Sequence, residues 1–392
     1  MLWAISMKVG ITQIENRWVP ESWDLEPLGN VINFIGGSQP PLSTFTYSER
    51  PGYVRLIQIR DYKSDKNKVY VPRHLARRFC SSTDILIGRY GPPVFQILRG
   101  LEGAYNVALI KAVPSEKINS EYAWHFLRND VLLHFIEKLS QRSSGQTGVD
   151  LAELRNYPIL LPPLHVQQAI AEALSDADAW IESLETLIEK KRLIKQGAMQ
   201  ELLRPNEGWD VKMLGEVLSF GNGRDYKHLS SGDYPVYGTG GILKYVDSFL
   251  YSGESVGIGR KGTIDEPTYL TGKFWCVDTL FYTHSFKDVV PKFIYYTFLQ
   301  IPWKEFNEAS GVPSLSKKTI EQIEIKIPSF NEQMRISTVL SEMDAEIEVL
   351  EQKLSKARQI KQGMMQQLLT GQILLVTPTS AKAIKTSKRV TA

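Results

Sequence analysis

Leu161-Pro162-Pro163-Leu164-His165-Val166-Gln167 opens a stretch, running to Leu203, that returns without a gap from Ile327-Pro328-Ser329-Phe330-Asn331-Glu332-Gln333 to Leu369. Pro162 to Pro328 sets the offset at 166 residues, and about half of the aligned positions are identical. Ile194-Lys195-Gln196-Gly197 comes back as Ile360-Lys361-Gln362-Gly363, Leu174-Ser175 as Leu340-Ser341, Asp178-Ala179 as Asp344-Ala345, and Leu202-Leu203 as Leu368-Leu369. Chance does not produce such a match, so the chain contains a duplicated element.

Each copy reads as one long helix. Pro162-Pro163 and Pro328-Ser329 set the starts, because proline fits the first turn of a helix and not its interior. Arg204-Pro205 closes the first copy, and Thr370-Gly371 closes the second where glycine accepts left-handed geometry. Apolar residues recur in steps of four and three at Ile170, Leu174, Ala177, Ile181, Leu184 and Ile188, and at Ile336, Leu340, Met343, Ile347, Leu350, Leu354 and Ala357. That narrow seam has the period of a coiled coil and predicts the helix-helix and partner interface. Each helix begins acidic (Glu172, Asp176, Asp178; Glu342, Asp344, Glu346) and ends basic (Lys190, Lys191, Arg192, Lys195; Lys353, Lys356, Arg358, Lys361). Antiparallel pairing brings opposite charges together, whereas parallel pairing stacks acid on acid. Two such rods, each on the order of 50 to 60 Å long at about 1.5 Å per residue, form a spacer. Antiparallel pairing of equal repeats also implies an approximate two-fold axis. The plainer reading of both stripes is a pair of bundle helices.

The segments ahead of the helices are related more faintly. Trp23-Asp24-Leu25-Glu26-Pro27-Leu28-Gly29 resembles Trp209-Asp210-Val211-Lys212-Met213-Leu214-Gly215, Ile87-Gly88-Arg89-Tyr90-Gly91 resembles Ile258-Gly259-Arg260-Lys261-Gly262, and Ser144-Gly145 aligns with Ser310-Gly311. The order is globule, helix, globule, helix, with like scaffolds and unlike globules. The expected boundaries are 1–160, 161–205, 206–326 and 327–371, followed by a basic, apolar-poor tail over 372–392 whose composition predicts disorder. Tyr53 to Ile59 alternates at the strand period, glycines punctuate Gly221-Asn222-Gly223 and Gly238-Thr239-Gly240-Gly241, and Ser120 to Leu139 and Pro291 to Leu299 suit helix. The fold class is therefore α+β: two globular domains separated by two long antiparallel coiled-coil helices with pseudo-two-fold symmetry.

Cations gather in the first globule at Arg50, Arg55, Arg60, Lys63, Lys66, Lys68, Arg73, Arg77, Arg78 and Arg89, with Tyr90 beside them and Tyr47, Tyr53, Tyr62 and Tyr70 interleaved. Such a mixture suits phosphate contacts with some base reading. In the second globule Asn222, Arg224, Tyr226, Lys227 and His228 lie in or after a glycine turn read as flexible. Thr239 sits in another turn, and Arg260-Lys261 between glycines is placed to project outward. For each group the competing reading is a solvated charged surface.

Composition bounds the alternatives. With 392 residues, 43% hydrophobic and 23% charged, the chain exceeds one core and has ordinary globular usage. No apolar run approaches the roughly 20 residues of a bilayer-spanning helix, and the opening Met1 to Lys8 lacks the basic start of a secretory signal, so a cytoplasmic location is expected. A net charge of +3 is too small to decide a polyanionic partner by itself. Cys80 and Cys276 form no CxxC, and His74, His125, His134, His165, His228 and His284 form no i, i+4 pair, so no metal or cofactor is expected. Gly257-Ile258-Gly259-Arg260-Lys261-Gly262 spells GxGxxG, but Asp265-Glu266-Pro267 blocks the helix a dinucleotide needs. Gly91-Pro92-Pro93-Val94 lacks the polar and aromatic residues that flank two prolines in an amino-methyltransferase. The sequence spells no catalytic motif.

The layout resembles the specificity subunit of type I restriction-modification systems, the HsdS family, up to about Gly371. The paired helix openings and Ile-Lys-Gln-Gly closings carry the resemblance, with Tyr234 to Ile242 and Ile258 to Gly262 as turns of target recognition domains. It implies that each globule reads one half of a split, asymmetric site in double-stranded DNA. The helices would fix the gap, and two copies of the modification (methyltransferase) subunit would bind around the spacer. Methyl transfer to adenine N6 and cleavage would belong to those subunits and to restriction (endonuclease/translocase) subunits. Two other readings stay open: a coiled-coil protein scaffold or inhibitor without DNA binding, and a self-contained DNA methyltransferase.

Overall fold

The computed structural model describes residues 6–8, 11–14, 17–20, 22–140 and 148–373. Ser144-Gly145 and the basic tail beyond residue 373 lie outside them. Two compact units result, one comprising Met1–Ser183 with Leu354–Ala392, the other Leu184–Lys353.

In the first unit β1 (Ser6–Lys8), β2 (Ile11–Ile14) and β3 (Arg17–Pro20) form an antiparallel meander. There follow β4 (Asp24–Pro27), α1 (Leu28–Val31), β5 (Ile32–Gly36), β6 (Tyr53–Ile57), β7 (Tyr70–Pro72), β8 (Phe79–Cys80), β9 (Ile85–Gly88), β10 (Ile97–Leu98), β11 (Gly103–Tyr105) and β12 (Leu109–Pro114). Helices α2 (Ser120–Leu127), α3 (Asp130–Ser140) and α4 (Leu151–Asn156) lead through β13 (Pro158–Leu161) into α5 (Leu164–Leu202). Two four-stranded sheets, β10-β9-β12-β5 and β7-β6-β11-β8, carry the unit, and β13 pairs with β4.

The second unit runs β14 (Asp210–Met213), α6 (Leu214–Val217), β15 (Ser219–Asn222), β16 (Ser231–Gly238), β17 (Gly241–Val246), β18 (Tyr251–Ser252), β19 (Ser255–Gly259), β20 (Thr268–Leu270), β21 (Lys273–Cys276) and β22 (Leu280–His284). After it come α7 (Pro291–Phe298), α8 (Lys317–Glu321), β23 (Glu324–Ile327) and α9 (Phe330–Leu368). Its sheets are β15-β22-β19-β20 and β17-β16-β21-β18, with β14 paired to β23. From β4 onward this is, strand for strand, the order of the first unit, including one parallel pair in each, β11 with β6 and β21 with β16. The globules expected to be unlike share one topology. Their sequences hide it because short strands constrain side-chain identity weakly, and even the buried β9 and β19 need only small or apolar residues.

The long helices are the duplicated element, 39 residues each. Pro163 O receives Val166 N and Gln167 N at 2.8 and 3.0 Å, and Ser329 O receives Glu332 N and Gln333 N at 2.9 and 3.0 Å. At the far end Gly371 takes φ 69° and Gln372 N reaches back to Gln367 O at 3.0 Å, the glycine stop the sequence predicts. In the first unit Lys361 pairs with Asp178 and Gln362 with Asp130, while Leu368 and Leu369 join Ile170, Leu174 and Trp23 in one core. In the second, Lys195 pairs with Asp344 and Lys191 meets Glu346 at 2.7 Å, while Met199 shares a core with Ile336 and Leu340. Within each unit one residue number rises as the other falls, so the segments run antiparallel. Ile170, Leu174, Leu184, Ile188, Ile336, Leu340, Ile347 and Leu350 are buried, while Ile181, Met343 and Leu354 are half-buried. Each full burial contributes roughly 1.5 to 3 kcal/mol.

One local expectation is corrected. Gly221 and Asn222 are in β15, not in a flexible turn. A Cβ on Gly221 would lie 2.2 Å from the Tyr282 ring, and one on Gly223 1.9 Å from Val277 O. Close approach of neighbouring chain explains these glycines.

Candidate nucleic-acid interface

The turn that joins β21 to β22 in the second unit, and β11 to β12 in the first, gathers the ends of several segments. In the second unit, Val277 N donates to Tyr237 O at 3.0 Å, Arg224 N to Cys276 O at 2.8 Å, Gly223 N to Leu280 O at 3.0 Å, and Arg260 N to Thr279 O at 2.8 Å. Asn222, Arg224, Arg260 and Lys261 and the Thr239-Gly240 hairpin turn therefore collect at one end of the unit. Lys261 bridges to Ser314, Leu315 N donates to Arg260 O at 2.9 Å, and Gly262 N donates to Pro313 O at 2.9 Å, which fixes the backbone of this turn. Asn222, Arg224, Arg260 and Lys261 are exposed, and the Arg260 guanidinium lies 5.9 Å from the Phe281 ring centre. No helix follows Gly262; the next element is β20, so the glycine pattern is a strand end with a turn. Lys227 and His228 are exposed on the neighbouring loop, His228 lies edge-on to Trp275, and half-buried Tyr226 lies under Lys244.

The first unit repeats the frame. Asn106 N donates to Ile57 O at 3.1 Å, Ser38 N to Tyr105 O at 3.2 Å, Gly37 N to Leu109 O at 2.9 Å, and Arg89 N to Ala108 O at 2.8 Å. Tyr90 bridges to Gly148, Val149 N donates to Arg89 O at 3.0 Å, and Arg89 lies 5.1 Å from the Tyr90 ring centre. Here β6 and β7 are joined by Gln58 to Val69 rather than by two residues, and that loop carries exposed Arg60, Lys63 and Lys66. Arg78 reaches the same end, its carbonyl accepting Tyr105 N at 3.1 Å, with exposed Arg77 beside it.

The other cations of the first unit are placed differently. Arg50 and Arg73 lie at the opposite end of β6, where Tyr53 N donates to Arg50 O and Arg73 N to Gly52 O. Arg73 lines a cavity of about 570 Å³ with Glu49, Tyr53, Tyr70, Phe79 and Glu102. Arg55 is engaged inside the unit, 2.9 Å from Asp65 and 3.9 Å from Asp61, with its side chain 17% exposed. Lys68, 2.8 Å from Asp65, and Arg55 together hold that carboxyl below the usual range. Burial pushes the free thiols of Cys80 and Cys276 up to about 11 and about 12, so neither is poised as a nucleophile. Among the described residues no helix is long and apolar enough to cross a membrane, and no cluster of three or more His, Cys, Asp or Glu could hold a metal.

The family model of the type I restriction modification DNA specificity domain fits residues 20–191 and again 206–359, one copy for each frame. The chain belongs to this family. Its role is that of a DNA sequence-specificity subunit of a type I restriction-modification system. The type I restriction enzyme MjaVIII specificity subunit of Methanocaldococcus jannaschii is 24% identical across 91% of this chain and 94% of its own length. The putative MjaX specificity subunit of the same organism is 23% identical across 92% and 95%. The solved S subunit of the type I restriction-modification system of M. genitalium shares the fold, with a TM-score of 0.63 at 18% identity, covering 88% of this chain and 96% of that one. In this specificity subunit the likeness between the two globules singles out Arg89, Tyr90, Arg260 and Lys261 from sequence alone. The gathering turn is not visible there, because its sole signal is the backbone pairing of strands far apart in the chain.

Proposed function

We propose that the chain reads a bipartite DNA site without chemistry of its own. Residues 1–160 and 206–326 are the two target recognition domains, each binding one half of an asymmetric duplex site. The spacer helices, 161–205 and 327–371, hold the halves apart and dock two copies of a methyltransferase subunit. Restriction subunits, with endonuclease and translocase activity, join that complex in the cytoplasm, and the tail 372–392 has no assigned role.

One observation carries this reading: the same backbone frame presents different side chains in the two units. Arg89-Tyr90 and a charged loop occupy it in one, Arg260-Lys261 and a two-residue hairpin turn in the other. A common frame with unlike tips is what two unlike half-sites require. Genome-wide mapping of methylated adenine, in cells expressing the chain with its cognate methyltransferase, tests it. The expected result is a split motif with two different halves, the first degraded by Arg89→Ala and the second by Arg260→Ala. A continuous motif, or both halves changing with either substitution, excludes the reading.

A further inference from the structure

The β16–β17 hairpin carries two adjacent apolar side chains that the second unit leaves about half exposed. Ile242 is 49% exposed and Leu243 55% exposed, although both follow the Thr239-Gly240 turn at the cation-bearing end of the unit. Their place is fixed. Ile242 is in register with Tyr237, whose carbonyl accepts Val277 N, and the ladder is irregular at the next step, where Val236 faces Lys244. Leu243 Cδ1 lies 3.1 Å from where a Cβ on Gly238 would stand, so this side chain rests beside the Gly238 backbone. The sequence spends a glycine, a bulge and two exposed aliphatic groups on the tip of a two-stranded ribbon, with exposed Arg224, Arg260 and Lys261 on the adjoining turns.

Those cations select a polyanionic occupant, and a two-stranded ribbon fits the major groove of a duplex. In that groove the one apolar group on a base edge is the 5-methyl of thymine. We infer that Ile242 and Leu243 read a thymine methyl in the second half-site. The first domain uses a different chemistry at the equivalent place, where the β6–β7 loop offers Arg60, Lys63 and Lys66 instead. This inference rests on the proposal that the second unit binds a half-site, and it names the base feature that the unit recognises.

The test uses the complete complex with its methyltransferase and synthetic duplexes of the mapped motif, in which deoxyuridine replaces thymine one position at a time. Deoxyuridine differs from thymine by one methyl group. At one position of the second half-site it is expected to weaken binding about fourfold, the worth of one methyl removed from water. The double variant Ile242→Ser with Leu243→Ser is expected to bind both duplexes equally while still rejecting base-pair changes in the first half-site, which also shows that it is folded. Wild-type indifference to deoxyuridine throughout the second half-site overturns the inference. So does a variant that keeps the preference, or one that loses the methyltransferase subunit instead. Failure of the underlying proposal looks different, because no split motif is then found at all.

Discussion

Gln167 and Gln333 occupy the same buried position in the two units and make the same three hydrogen bonds. The Gln167 carboxamide accepts Asn119 N at 2.7 Å and donates to Pro162 O at 2.8 Å and Lys117 O at 3.1 Å. Gln333 accepts Val290 N at 2.9 Å and donates to Pro328 O at 3.0 Å and Asp288 O at 3.2 Å. Each residue is 1% exposed. Each therefore ties the start of a globule helix, α2 or α7, to the start of a spacer helix. Alanine at either position removes the partner of one backbone N–H and two carbonyls, of which the Pro162 or Pro328 carbonyl is buried. Gln167→Ala and Gln333→Ala are expected to cost about 1 to 3 kcal/mol each and to be alike in size, measured by urea unfolding.

A second equivalence predicts a pH effect confined to one unit. Tyr296 donates to Asp344 at 2.7 Å and lies 3.2 Å from Ser341 Oγ. The equivalent residue in the first unit is His125, whose Nε2 lies 3.1 Å from Ser175 Oγ and whose Nδ1 is 3.9 Å from Asp178 and without a hydrogen bond. Burial, with Lys361 and Arg128 nearby, lowers His125 from 6.5 to about 4 against the opposing pull of Asp178. The folded state thus holds the ring neutral while the unfolded chain protonates near pH 6.5. Its contribution is full above that pH and is lost as pH falls toward 4. The first unit is expected to lose about 2 kcal/mol between pH 7 and pH 5. His125→Tyr is expected to abolish most of that loss, as seen in unfolding curves at the two pH values.

Gly37 and Gly223 are also equivalent: a Cβ on the first would lie 1.9 Å from Asn106 O, and one on the second 1.9 Å from Val277 O. Backbone cannot retreat there without opening the turn that gathers the candidate site. Gly37→Ala and Gly223→Ala are expected to cost about 3 kcal/mol or more. Gly197 and Gly363, mid-helix with nothing within 4 Å, behave oppositely, and alanine there stabilises by up to about 1 kcal/mol. Thermal melts of the four single variants decide it.

These glycines mark where the sequence stops being legible. The long helices could be read because their period, charges and end signals are local and occur twice. Arg260-Lys261 and Arg89-Tyr90 could be read because the likeness between their flanking residues survives. Gly223 read as part of a flexible turn, since its close approach to Val277 O depends on a turn more than fifty positions away. Arg55 read as one of a patch of cations for a different reason: its partner Asp65 follows in the next loop, and the charge count alone does not pair them. Ile242 reads only as the end of a glycine-rich turn, and the exposure of the adjacent Ile242 and Leu243 is not written in the sequence because burial depends on residues distant in the chain.

Position within the first unit also divides its cations into two classes. Arg60, Lys63 and Arg89 share the end that gathers the strand connections, whereas Arg50 and Arg73 sit at the other end of β6. Single alanine substitutions in the first class are expected to reduce the slope of log affinity against log salt by about 1 for each phosphate that is no longer neutralised. Arg50→Ala and Arg73→Ala are expected to leave it unchanged. Fluorescence anisotropy titrations at several salt concentrations distinguish the two, and a slope that falls for Arg73 but not for Arg89 would put the DNA face at the other end.

Helix length tests the spacer directly. The Asp178–Lys361 and Asp344–Lys195 pairs are one contact with the two copies exchanged, so a lengthening applied equally to both helices preserves both pairs. Seven residues inserted after Thr186 and seven after the equivalent Gln352 keep the apolar seam in phase. A heptad adds about 10 Å at 1.5 Å per residue, and the duplex rises about 3.4 Å per base pair. The gap in the methylated motif is therefore expected to widen, by no more than about three base pairs, with both half-site sequences unchanged. Insertion into α5 alone instead breaks the register of the ion pairs and is expected to abolish methylation. A double insertion that methylates the original gap with full efficiency would falsify the role of the helices as the measuring element.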